Sequence, residues 1–294
     1  LFGVQDNFKP VKLFAKLKHP NVMSNHDHPF NQATNLTLES EGSWRGHTHP
    51  AYSNMVGPFG GITSAVLLNA ILKDPRRIGD PISLTVNFAG PIEDGPFTIE
   101  AKPVRTNRST QHWSVNLIQH NGEVATTGSA VFAIRRETWA STEIQYPERA
   151  TALDLTRADT SKAPEWTRRY DIRPLRGLMI DGQLQNHEPD AVTEFWVQDD
   201  PPRPLDFLSL TAICDSFVPR IFVRRQGRFP AGTISLTTHF HADSEMLNQQ
   251  GSKHVLGLAR ASRFGMGYHD QSAEIWSDTQ QLLATTHQLV YYKA

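Results

Sequence analysis

The second half of this chain repeats the first, and that repeat limits the folds open to it. Residues 81–88 (PISLTVNF) are answered by residues 232–240 (GTISLTTHF) at an offset of 152. Residues 125–132 (ATTGSAVF) are answered by residues 284–291 (ATTHQLVY) at an offset of 159. In each half an apolar helical run precedes the first of these stretches. A strand–helix–strands unit used twice reads as an internal duplication, in which neighbouring copies bury a shared apolar surface. Two such sheets can join edge to edge, which removes the exposed edges an open sheet presents.

The first copy opens with residues 35–44 (NLTLESEGSW), which alternate like a strand. Gly57, Pro58, Gly60 and Gly61 then punctuate the approach to residues 62–72, an almost wholly apolar run closed by Pro75 and Gly79. A helix apolar on every side belongs in an interior. Strands are expected at residues 81–88, 97–106, 111–119 and 123–135, the last two joined by an Asn121-Gly122 turn. Residues 137–165 are polar, carry two prolines and show no period, which reads as a linker. Residues 166–173 and 192–198 read as strands, with a polar connection at 176–191. The expected division is an N-terminal arm over 1–30, a first domain over 31–136, the linker over 137–165 and a second domain over 166–294. Each domain is α+β, an antiparallel sheet wrapped around one helix.

The second central helix is read over residues 205–222 (LDFLSLTAICDSFVPRIF), and one acid, Asp215, sits in its middle. A carboxylate among apolar residues needs hydrogen-bond partners or a raised pKa. Pro219 cannot donate to the carbonyl of Asp215, so a kink or helix end is expected beside the acid. The lone cysteine, Cys214, reads as a packing residue and excludes an internal disulfide framework.

Charge is balanced, with 29 basic and 30 acidic residues, so nothing points to nucleic acid or an anionic membrane as partner. No apolar run nears the ~18 residues a membrane span needs, and a soluble, cytoplasmic protein is expected. There is no Gly-x-Ser-x-Gly elbow, Walker loop or dinucleotide fingerprint. The pairs His26/His28, His47/His49 and His239/His241 do not make a metal site, and no metal or cofactor is expected. Arg135-Arg136 and Arg224-Arg225 read as solvated pairs that are also placed to meet phosphates.

A duplicated unit of this kind, with GPFGG leading into the first helix and PISLTVNFAGPI following it, resembles the double-hotdog acyl-CoA thioesterases, and most closely the bacterial type-II group. The resemblance covers residues 44–136 and 192–293, and it implies a tandem hotdog fold. That group is similar in having an Asp on the second central helix, a Thr or Ser opening the next strand and a Gln on the last strand. Here the matching residues are Asp215, Thr233 and Gln288. The group's Phe-His pair matches Phe240 and His241. Two features depart from it: Ser235-Leu236-Thr237-Thr238 stands where Asp-His-Ser-Met is common, and Ala242 where Arg is usual. They leave the acyl-chain preference and part of the CoA contact undefined.

The resemblance implies hydrolysis of an acyl-CoA to free acid and CoA, without cofactor, by a chain that pairs into homodimers or larger assemblies. Asp215 would be base or orienter, with Thr233 and Gln288 fixing the water between their hydroxyl and amide groups. Backbone N–H groups at Gly60 and Gly61 would meet the oxyanion. Ser129, taken as the repeat counterpart of Gln288, and the lack of an acid on residues 62–72 imply at most one complete set. The alternatives are a non-hydrolytic acyl-CoA or acyl-carrier binding protein of the same fold and a hotdog enoyl-CoA hydratase. The hydratase pattern pairs an Asp and a His in one Asn-Pro loop, and no such loop occurs here.

Overall fold

The computed structural model describes residues 27–177, 179–180, 183–184, 190–225, 227 and 229–293. Most of the arm expected over residues 1–30, His26 included, lies outside the described residues. After α1 (Pro29–Ala33), the first half contributes β1 (Thr37–Ser40), β2 (Ser43–His47), α2 (Gly60–Leu72) and β3 (Asp80–Phe88). It closes with β4 (Pro96–Thr106), β5 (Thr110–Gln119) and β6 (Val124–Ala133). The second half begins with β7 (Tyr170–Arg176), a separate two-stranded pair β8 (Met179–Ile180) and β9 (Gln183–Leu184), and β10 (Thr193–Asp199). Then come α3 (Phe207–Ile213), α4 (Arg220–Arg224), β11 (Ala231–Phe240), α5 (Ser244–Gln250) and β12 (Val255–Arg260). A short β13 (Phe264–Gly265), β14 (Tyr268–Trp276) and β15 (Leu282–Tyr292) complete it.

Thirteen strands form one antiparallel sheet in the order β1-β2-β4-β5-β6-β3-β11-β15-β14-β12-β10-β7, with β13 paired to β14. The halves do join edge to edge, at β3 and β11. Thr85 lies directly opposite Thr237 there, and their hydroxyl oxygens are 3.0 Å apart. Because 152 residues separate these two threonines, the junction is a local pseudo-twofold axis, and strands on one side map onto strands on the other. The sheet curls around α2 and α3, which lie against each other. Eleven of the thirteen residues of α2 are buried, from Gly61 to Ile71, as its all-round apolar character requires. The two backbones approach so closely that a Cβ on Gly61 would stand 2.5 Å from the carbonyl oxygen of Ala212.

Several sequence expectations change in detail. Residues 35–44 are a hairpin rather than one strand, because Gly42 takes a left-handed φ of 74° and turns the chain between β1 and β2. Residues 166–169 belong to a 3-10 turn (Glu165–Arg169) that places Trp166 flat on Phe59, ring centroids 4.0 Å apart, and the strand starts only at Tyr170. The run over 205–222 is not one helix. Asp206 caps α3 by accepting from the Ser209 N–H at 2.8 Å, and α3 ends at Ile213. A turn with Asp215 N–H on the Ala212 carbonyl at 3.1 Å follows, and α4 begins after Pro219. The chain between β6 and β7 is irregular but pinned: Tyr146 packs edge-on against Trp276, and the Trp196 indole N–H donates to the Ala150 carbonyl at 2.9 Å.

Sheet register also corrects the repeat. In β3 and β6 Leu84 faces Ala130, and in β11 and β15 Leu236 faces Gln288. The structural counterpart of Gln288 is therefore Ala130, not Ser129. A one-residue slip moves a side chain to the other face of a strand; Ser129 is exposed, whereas Gln288 is buried.

Candidate active site

The helix end puts Asp215 where the two halves meet. Its Oδ1 accepts from Gln288 Nε2 at 3.0 Å, and the carboxylate sits at the start of α2, where the Gly61 backbone favours its charged form. Oδ2 lies so close to Gly60 that a Cβ there would be 2.6 Å away, with the Phe88 ring beside it. The acid thus comes from the second half and the helix N-terminus that receives it from the first. An N-terminus carries free N–H groups and the positive end of the helix dipole, so it favours the ionised acid.

Burial acts the other way and dominates. Asp215 as a residue keeps some exposure, but its oxygens are enclosed by Gly60, Gly61 and Gln288. Loss of solvent pushes its pKa up from 3.8 to about 7, against the pull of the Gln288 hydrogen bond and the Gly61 backbone toward the charged form. The carboxyl is therefore poised to take up and release a proton near neutrality. The neighbouring Cys214 thiol is fully buried and held well above its ordinary pKa, which leaves it un-ionised and fits a packing role.

Thr233 and Gln288 reach the site from adjacent strands. The Thr233 hydroxyl donates to Gln288 Oε1 at 3.2 Å, across a bulge that interrupts the β11–β15 register between Thr233 and Ser235. Three sequence candidates, Asp215, Thr233 and Gln288, are brought into one hydrogen-bonded chain, and Gly60 and Gly61 flank the acid. Phe240 and His241 are not brought to it. They lie seven and eight residues further along from Thr233, about 20 Å or more at strand spacing. Phe240 packs edge-on against Phe207 at the start of α3.

Two further side chains belong to this chain of bonds and carried no signal in the sequence. Gln271 on β14 lies directly opposite Gln288 and donates to its Oε1 at 3.3 Å. Arg220, the first residue of α4, is completely buried and donates from Nε to Gln271 Oε1 at 3.1 Å. The mirror-related place in the first half holds none of these groups. By register Pro81, Ala130 and Trp113 stand where Thr233, Gln288 and Gln271 stand in the second half. Trp113 is itself a fully buried core residue, so that place is filled.

Other candidate chemistry is not assembled. Among the described residues no group of three or more His, Cys, Asp or Glu side chains could hold a metal ion. No helix among them is long and apolar enough to cross a membrane. His47 is engaged locally, its Nδ1 2.7 Å from the Thr48 carbonyl, and His49 contacts Gln32. Arg135 holds the carbonyls of Phe240 and Pro81, a structural role.

The pattern of the acyl-CoA thioesterase N-terminal domain matches residues 49–133, and that of the acyl-CoA thioesterase C-terminal domain matches residues 147–292. The chain belongs to the acyl-CoA thioesterase family. Among solved structures, this family member is similar to a conserved protein of unknown function with a hot dog fold from Alicyclobacillus acidocaldarius. The two are 47% identical with a TM-score of 0.86, over 91% of this chain and 98% of that one. It shares its fold with the tesB protein of Mycobacterium avium subspecies paratuberculosis, at 16% identity and TM-score 0.73 over 90% and 98% of the two chains. An acyl-CoA thioesterase II from Mycobacterium marinum has the same fold at 18% identity and TM-score 0.68, again over 90% and 98%. No curated protein matches the chain.

Proposed function

We propose that this protein hydrolyses an acyl-CoA thioester to a free acid and CoA by direct attack of water. The observation that carries the reading is the buried Asp215 carboxylate, raised to about 7, bonded to Gln288 and seated at the start of α2. A base whose pKa lies near the working pH is both available in its ionised form and able to accept a proton. Water held by Asp215 and Thr233 gives its proton to Asp215 as its oxygen bonds to the thioester carbon. The carbonyl electrons move onto oxygen, and the first-turn N–H groups of α2 at Gly60 and Gly61 stabilise that oxyanion. Collapse re-forms the carbonyl and breaks the C–S bond, and the proton on Asp215 passes to the departing thiolate. Protonation of the carboxylate removes the negative charge that competes with the oxyanion for the start of α2.

Release of free thiol from acyl-CoAs of graded chain length tests the activity, and no thiol released from any member of the series would overturn it. Ligand-induced stabilisation without thiol release would instead indicate a binding protein. The route is tested by a single turnover in ¹⁸O-water. Direct attack labels only the product acid, whereas an anhydride formed with Asp215 would place the first label in the protein.

A further inference from the structure

The unusual group near the site is Arg220. It is a completely buried cation with no carboxylate among its described hydrogen-bond partners, which are Gln271 and the carbonyls of Val218, Ala191 and Ala259. Desolvation lowers its pKa to about 9, so it stays charged at neutral pH. Burying a charge without a counter-ion is costly, and its place in the sequence of hydrogen bonds suggests what it supplies.

We infer that Arg220 is a positioning residue which, through Gln271, sets the orientation of the Gln288 amide so that its N–H end faces Asp215. The inference rests on Asp215 being the working carboxylate of the proposed reaction. It follows from donor and acceptor inventories. A guanidinium has only N–H groups to offer, so the end of Gln271 that meets Arg220 must be its carbonyl oxygen. The other end of that amide, Nε2, is then the one that meets Gln288, and it must find an acceptor, Oε1. Oε1 also receives the Thr233 hydroxyl, which leaves Gln288 Nε2 for the carboxylate of Asp215. Every link runs in one direction, from a group that can only donate to a group that, when ionised, can only accept. A reversed Gln288 would turn its oxygen toward Asp215, oppose ionisation and misplace the water.

The geometry also explains why the relay is specific to the second half. Trp113 and Ala130 occupy the corresponding places in the first half, where no acid needs an oriented donor. The titratable groups around the relay are His269 on the same face of β14, Tyr170 on β7 and Cys214 in the turn. Burial lowers the pKa of the first and raises those of the other two, so all three are neutral where Asp215 titrates.

The test uses the full chain with Gln271→Met, Arg220→Met and Arg220→Lys. The Asp215 protonation midpoint is read from the carbon-13 shift of its carboxyl, and kcat and KM are read across pH. In Gln271→Met the midpoint should rise by about half a unit, since one hydrogen bond to the charged form is weakened while Thr233 still holds Gln288. Its kcat should fall about tenfold with KM within about twofold of the parent, as expected when an orienting contact rather than binding is lost. Arg220→Lys keeps a donor and a charge and should leave the midpoint where it was. Arg220→Met should behave as Gln271→Met, and if it does not fold, Gln271→Met decides alone. A folded Gln271→Met with the parent's midpoint and kcat overturns the inference, as does Arg220→Lys shifting the midpoint as far as Gln271→Met. A parent that releases no thiol would count against the thioesterase reading only, because the midpoint comparison needs no turnover.

Discussion

Replacing Asp215 by Asn should make the protein inactive and remove a loss of stability that the parent suffers as pH rises. The carboxyl has a pKa of about 7 in the folded chain against an ordinary 3.8. A raised acid pKa means the folded state holds its proton over a range where the unfolded state has already lost it. Its contribution to stability is therefore complete below pH 3.8 and is lost as pH rises toward 7. The gap corresponds to about 4 kcal/mol at 25 °C. The amide of the D215N variant has no proton to lose, so the unfolding free energy of the parent minus that of D215N should fall by about that amount between pH 4 and pH 8. Any fixed cost of seating an amide beside Gly61 is the same at both ends and cancels. Urea unfolding of both proteins at four pH values across this range measures the difference. A pH-independent difference would refute the reasoning, because it would mean that Asp215 ionises in the folded chain as it does in water. The parent's kcat/KM should rise through pH 7 and level above it, since the ionised form is the base in the proposed reaction.

Three other predictions concern the surroundings of the acid. Gln288→Leu removes the only side-chain donor that the described bonds give Asp215; kcat should fall about a hundredfold and the acid limb of the pH profile should move upward, both read from thiol release. Thr233→Val should cost roughly 1 kcal/mol of stability or less in chemical denaturation, and about tenfold in kcat, through the lost bond to Gln288 Oε1. Gly60→Ala and Gly61→Ala should separate two functions of adjacent residues. The first would crowd Asp215 Oδ2 and strike activity hardest. The second would drive a methyl against Ala212 and Phe59 and cost about 1–3 kcal/mol, seen as a lowered melting temperature.

How far these features could be read from the chain depended on their physical origin. The apolar helix at Gly60–Leu72 was legible because a run apolar on every side has only an interior to occupy, and the strands about it because alternation and turn residues are local signals. The helix break at Asp215 was legible in Pro219, whose missing N–H is a local fact. Asp215, Thr233 and Gln288 stood out by residue type on the matching elements of a known family. Gln271 and Arg220 did not, because a glutamine in a strand and an arginine after a proline look solvated until register and helix placement bury them. The pairing of Gln288 with Ser129 failed for the same reason. Matching letters aligned two strands one residue away from the hydrogen-bond register that decides which side chains face inward. The participation of α2 in holding Asp215 depends on how the halves dock, which no local pattern encodes.

The seam at β3 and β11 has a consequence for stoichiometry. Two separate copies of a single unit, paired by the same axis, would present two equivalent sites. Fusion of the copies released the two places from that constraint, and here one carries the acid while the other is packed with Trp113. A thioester analogue that cannot be cleaved should therefore titrate to one equivalent per polypeptide. Because acid and helix N-terminus come from opposite sides of the seam, neither half expressed alone should turn over substrate, while mixing the halves should restore it in proportion to their association. Turnover then becomes a direct readout of how well the two halves are joined.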